Sequence, residues 1–140
     1  MIGALFMTLI TSTDSNAQTC TTCGYLKSSP THANIDTATN ADTVIQSITI
    51  SGYWAVVTIM PTVTKISGTV GGTMQLYGSI DGSKYALIDT IDYTAANVAG
   101  AQTFTGWSIV PSKYVSYQIR YITSGTMSAK LQTYAIWRKP

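Results

Sequence analysis

From Thr43 onward the chain reads as short runs in which apolar and polar side chains alternate. A period of two belongs to a strand with one face against a core. Residues 113–123 are the cleanest case: Val115, Tyr117, Ile119 and Tyr121 fall on one side, Ser116, Gln118 and Arg120 on the other. Residues 126–139 set Met127, Ala129, Leu131, Thr133, Ala135 and Trp137 against Ser128, Lys130, Gln132, Tyr134 and Ile136. In residues 73–80, Met74, Leu76, Gly78 and Ile80 point inward, and Gln75, Tyr77 and Ser79 outward. Residues 43–50 put Val44, Ile48 and Ile50 on one face. Residues 53–60 are almost continuously apolar, the pattern of a strand buried on both faces, and Pro61 ends it. Residues 65–70 form a further strand, as do residues 102–110, with Phe104 and Trp107 on opposite faces.

Breakers stand between the runs at Gly71-Gly72, Asp81-Gly82, Pro111-Ser112 and Ser124-Gly125. Asp81-Gly82 predicts a tight hairpin onto residues 84–91, because both central positions of the favoured two-residue turn need positive φ. About seven to eight strands, spaced by turns and without an amphipathic helix, predict an all-β fold: an antiparallel β-sandwich or jelly roll. Residues 11–42 are rich in Thr, Ser, Asn, Asp and Ala with little periodicity, apart from a short strand near Tyr25 and Leu26. The expected organisation is an extended N-terminal arm over residues 1–42 and a sandwich domain over residues 43–140.

Composition adds to this picture. Hydrophobic residues make up 45% of the 140-residue chain but charged residues only 10%, well under the usual quarter. Glu is absent, nine Tyr are present, and Thr and Ser fill the polar positions. Such a surface suits permanent packing against copies of the chain or a larger assembly better than life as a free monomer. A net charge of +2 with scattered basic residues gives no nucleic-acid footprint. The apolar start MIGALFMTLI is too short to span a bilayer, which takes roughly 20 residues. No Lys or Arg precedes Lys27, so the basic region of a secretory signal is missing, although Ser15-Asn16-Ala17 resembles a cleavage site. The alternative to a cleaved signal is an arm whose Ile2, Leu5, Phe6 and Leu9 dock on a neighbour.

The inventory for chemistry is thin. Cys20 and Cys23, in CTTC, offer a candidate disulfide or two thiols, or half of a zinc site shared between subunits; with His32 as the sole histidine, one chain cannot complete a zinc ribbon. Asp89 and Asp92, three apart, point to opposite faces of a strand and make no acid–base pair. Asp81 serves the turn. No nucleotide-binding glycine pattern and no G-x-S-x-G occurs. These observations predict a protein that is not an enzyme and has no catalytic residue, metal or cofactor. Of the aromatics, Tyr77, Tyr85, Tyr114 and Tyr134 lie outside the core, where they serve as contact residues or as platforms for a glycan; Trp54, Phe104, Tyr117, Tyr121 and Trp137 lie inside.

The stretch Leu76–Tyr85, LYGSIDGSKY, resembles a pattern of strand, G-S-x-D-G-x-x-aromatic, strand. It is similar to hairpins of discoidin-like (galactose-binding-like) jelly rolls and of small β-sandwich proteins in tailed-bacteriophage virions. The run KYVSYQIRY of residues 113–121 and the closing strand through residues 131–137 extend the resemblance over roughly residues 73–138. It implies a virion structural protein, either a capsid accessory (decoration) protein or a tail component. Its partners would be further copies or other virion proteins, neither nucleic acid nor membrane, and its contacts would include the arm residues with Tyr77 and Tyr85. The alternatives are a secreted carbohydrate-binding sandwich, with a glycan as partner, and a self-assembling extracellular filament subunit.

Overall fold

A computed structural model of the chain describes residues 23–26, 35–50 and 56–138, the first group by backbone alone. Every regular element among them is a strand: β1 (Cys23–Leu26), β2 (Ile35–Thr39), β3 (Thr43–Thr49), β4 (Val56–Gly68), β5 (Gly71–Ser79), β6 (Ala86–Thr94), β7 (Gln102–Phe104), β8 (Trp107–Ile109), β9 (Ser116–Thr123) and β10 (Met127–Arg138). All pairings are antiparallel, in two sheets. In the first, β10 and β4 are central; β1 and β2 share the outer side of β10, and β7 and β8 share the outer side of β4. The second runs β3-β9-β5-β6. Counting each split edge as one position, the sheets hold positions 1-8-3-6 and 2-7-4-5, the strand order of a jelly roll. The sandwich takes in strands upstream of Thr43: Ala38 of β2 is fully buried in the core.

The core forms where the inward rows meet. Val57, Ile59 and Val63 of β4 and Ala129, Leu131 and Ala135 of β10 face Met74 and Leu76 of β5 and Tyr117, Ile119 and Tyr121 of β9, all essentially inaccessible to solvent. One polar chain crosses between the sheets. Gln46 of β3, fully buried, donates through Nε2 to the Asp36 carboxylate (3.3 Å) and the Leu131 carbonyl (3.2 Å). Its Oε1 accepts from the Thr133 hydroxyl at 2.8 Å, which lies 2.6 Å from the Tyr121 hydroxyl. Each member has a partner, so the bridge avoids the cost of an unpaired polar group in a dry core.

Several local expectations need correction. Pro61 does not end its strand; β4 runs through it to Gly68, and the expected separate strand at residues 65–70 is its second half. On the outer side of β4, β8 pairs with Val57–Ile59 and β7 with Thr62–Thr64. Pro61 stands at the break between them, its carbonyl accepting from Thr105 N (3.4 Å). A strand residue aims its N and its C=O to the same side, so the donor that proline lacks faces the gap, where no ladder needs it. The same break splits the single strand expected at residues 102–110. Gly71-Gly72 opens β5 instead of forming a turn. The described part of the apolar run at residues 53–60 is buried on one face only, with Met60 43% exposed. Trp54 lies outside the described residues. Phe104 is 70% and Ile80 74% exposed, where the pattern put both inside: Phe104 lies on the outer face of β7, and β5 ends at Ser79, which frees Ile80 from the alternation.

Candidate functional site

The hairpin between β5 and β6 is wider than a two-residue turn. Residues 80–85 connect the strands, and of Asp81 and Gly82 only Gly82 has positive φ (75°). Asp81 organises the loop: one carboxylate oxygen accepts from Lys84 N (2.8 Å), Ser83 N (2.9 Å) and the Ser79 hydroxyl (2.9 Å), while Ser79 Oγ accepts from Gly82 N (2.9 Å). The amides of Lys84 and Ser83, with the Ser79 hydroxyl, hold the Asp81 carboxyl well below the usual carboxylate range. Tyr85 is tied back to the sandwich: its hydroxyl lies 2.9 Å from Ser116 Oγ, which also donates to the Ile48 carbonyl (3.1 Å). Ser116, expected outside, is buried at the start of β9 for this reason.

Tyr77 stands on the outer face of the second sheet, as the alternation predicts. Its cross-strand neighbour is Gln118, and Gln75 stands opposite Arg120. The Tyr77 hydroxyl donates to Gln75 Oε1 at 3.0 Å, and Arg120 Nε donates to Gln118 Oε1 at 3.0 Å. The Arg120 guanidinium carbon lies 4.1 Å from the centroid of the Tyr77 ring, a cation–π contact. The four side chains form a half-buried polar cluster. The sequence placed Gln118 and Arg120 outward; the cross-strand register, which joins them to Tyr77, was not readable from it.

The outer face of the first sheet is different in character. Ile35 of β2, Met60 and Ile66 of β4 and Phe104 of β7 are all more than 40% exposed. One cross-strand row runs Ile35, Gln132, Thr62, Phe104. A groove of about 270 Å3 between the central strands is lined by Met60, Thr62, Gln132 and Tyr134. Sequence reasoning missed Met60 and Phe104 here because both sit in runs that read as interior.

The acids separate. Asp89 points inward from β6 and accepts from the indole Nε1 of Trp107 on β8 at 2.7 Å, joining the two sheets at their open edge. Asp92, on the opposite face, accepts from the Thr73 hydroxyl at 3.0 Å. Among the described residues no three His, Cys or Asp side chains come together as metal ligands. The Tyr93 hydroxyl is buried without a protein partner among the described residues, and burial pushes its pKa up to about 12. Tyr114, expected outside the core, packs half-buried against it, edge-on to Tyr117 with ring centroids 5.9 Å apart. Ile2, Leu5, Phe6, Leu9, Cys20 and His32 lie outside the described residues, and of Cys23 only the backbone, in β1, is described.

No family model matches the chain. No curated protein matches it in sequence. Solved structures do match in shape. A chain of the T13 IBDV viral particle is 14% identical over 84% of this chain and 31% of its own length, with a TM-score of 0.51. The enzymatically active domain of bacteriophage CBA120 tailspike protein 4 aligns at 11% identity over 74% of this chain and 18% of that one, with a TM-score of 0.49. The CBM22-1 xylan-binding domain of Paenibacillus barcinonensis Xyn10C aligns at 9% identity over 86% and 89%, with a TM-score of 0.43. This chain therefore spans less than a third of the first two. At 14% identity the likeness to the viral-particle chain is one of fold, a β-sandwich.

Proposed function

We propose that this chain is a non-enzymatic structural protein of a tailed-phage virion, a capsid accessory or tail component that stabilises the particle through subunit contacts. The observation that carries the reading is the outer face of the first sheet. Ile35, Met60, Ile66 and Phe104 spread large apolar side chains over a face whose other positions are mostly Thr, Gln and Tyr, with Lys130 and Arg138 of β10 as its charged residues. Apolar side chains gathered on one face mark a contact surface, because their exposure to water is costly. The 10% charged composition removes the usual defence against association. The phage setting comes from the resemblance of the Leu76–Tyr85 hairpin to virion sandwiches. The arm residues Ile2, Leu5, Phe6 and Leu9 extend the contact, and the assembled interface reaches the standard total of about 1,600 Å2.

Two variants test the reading: deletion of residues 1–20, and Phe104→Glu. Both are expected to keep a cooperatively folding sandwich and to drop out of the particle, read as copies per virion by quantitative mass spectrometry. Unchanged copy number in both variants would sink the proposal.

A further inference from the structure

Every described carboxylate on this molecule is committed away from Arg120. Asp36 accepts from buried Gln46, and Asp42 from Thr43 N at 2.7 Å. Asp81 holds its own loop, Asp89 takes the Trp107 indole, and Asp92 takes the Thr73 hydroxyl. Arg120 therefore sits half-buried on the outer face of the second sheet with no anion beside it among the described residues. Its posture is nevertheless fixed. Nε is spent on Gln118, and the guanidinium carbon lies 4.1 Å from the centroid of the Tyr77 ring. Both restraints leave the two terminal Nη groups as a ready fork, the geometry that grips a carboxylate through two parallel hydrogen bonds.

The neighbours add donors of the same kind. Arg120 Nε can only donate, so the Gln118 atom it meets is the oxygen, and the Gln118 NH2 is left for another partner. The Gln75 amide is likewise held through its oxygen, by Tyr77. Ser47 and Thr90 stand opposite Gln118 and Gln75 on the flanking strands and widen the polar field with hydroxyls. We propose that this cluster binds a carboxylate-bearing saccharide, a uronate, with Arg120 gripping the carboxylate and the Gln75 and Gln118 amides meeting ring hydroxyls.

The chemistry of the face selects this ligand. A phosphate polymer needs several cations in a row, and this cluster offers one. A protein partner needs an apolar centre with a polar rim. Here polar groups hold the middle of the face: Gln75, Tyr77, Gln118 and Arg120 sit on the two inner strands, and the partly exposed Ile45, Leu87 and Ile122 stand around them. A sugar acid presents one negative group, several hydroxyls and C–H edges suited to an aromatic ring. The site is separate from the contact face of the first sheet and stands or falls independently of it.

The test is an NMR titration of the full chain, following the Arg120 Nε–H and the Gln75 and Gln118 side-chain amides. The probes are tri-galacturonate and, as the uncharged match, galactotriose. Saturable shifts of all three side chains by tri-galacturonate are expected, with galactotriose about tenfold weaker or worse. Arg120→Lys keeps the charge but loses the fork, and should weaken tri-galacturonate by about tenfold. Arg120→Ala should remove the response while the remaining amide spectrum stays folded. Equal binding of both sugars, no shift at millimolar tri-galacturonate, or unchanged binding by folded Arg120→Ala would each overturn the proposal. So would shifts of these groups on raising protein concentration alone, which would make the face a self-contact.

Discussion

Gly78 is small because Tyr114 occupies the space where a side chain would go. A Cβ at this position would stand 2.5 Å from two ring atoms of Tyr114, and Tyr114 in turn packs edge-on against buried Tyr117. Gly78→Ala should therefore destabilise the sandwich by about 1–3 kcal/mol, the range for overpacking. Urea unfolding will show it, and replacing Tyr114 by Leu in the same chain should recover part of the loss. Three residues on, Asp81 makes an electrostatic prediction. Its carboxyl is held below its ordinary value in the folded chain and returns to the ordinary value of about 3.9 when unfolded. The stabilisation is thus fully present above about pH 4 and is lost as pH falls below it. Asp81→Asn should flatten the acid limb of the stability profile below about pH 4 while lowering stability at neutral pH. An unchanged acid limb in thermal scans would show that the loop contributes nothing there. Both residues belong to the G-S-x-D-G stretch; Gly78 acts through the fit of Tyr114 against it, and Asp81 through its charge within the loop.

At the scale of elements, the open edge of the sandwich depends on one clasp. Trp107 lies on β8, a three-residue strand, and is 7% exposed; its indole N–H reaches the Asp89 carboxylate on β6 of the other sheet. Asp89→Ala leaves a buried donor unpaired and should cost about 1–3 kcal/mol, whereas Asp89→Asn keeps an acceptor and should cost less. The comparison is made by denaturant unfolding of the two variants. This clasp also marks the limit of what the sequence discloses. Strands β5, β9 and β10 were legible because their alternation is strict, from Met74 and Leu76 to Met127, Ala129 and Leu131. The Asp89–Trp107 bond was not, because it depends on how two sheets stack. Gln46 escaped notice for a related reason: it occupies an inward position of β3, and only the facing Thr133 and Asp36 make it acceptable there. Pro61 misled because a proline ends a strand only when a neighbour needs its missing N–H. Of the candidate binding cluster, the outward sense of Tyr77, Gln118 and Arg120 could be read directly, but their cross-strand adjacency could not.

At the scale of the whole molecule, the two faces of the sandwich differ in character. The first sheet exposes Ile35, Met60, Ile66 and Phe104, and the second holds Arg120 without a carboxylate partner among the described residues. The polar bridge of Asp36, Gln46, Thr133 and Tyr121 keeps the sheets in register between them. The jelly-roll order also bears on how the chain finds this state. Almost every strand pairs with one distant in sequence: β4 with β10 through Val63 and Leu131, β3 with β9 through Val44 and Tyr121, β2 with β10 through Asp36 and Leu131. Among the described residues, β5 and β6 alone are consecutive strands that pair with each other. Distant pairings pay the entropy of loop closure before any contact rewards them, so such sandwiches fold slowly, in milliseconds to seconds. The β5–β6 hairpin is the cheapest place to begin. The loop clamped by Asp81 is then a starting point for folding as well as a turn. Asp81→Ala should slow refolding more than it speeds unfolding, giving a φ-value near one in stopped-flow measurements, while Asp89→Ala should act mainly on the unfolding limb.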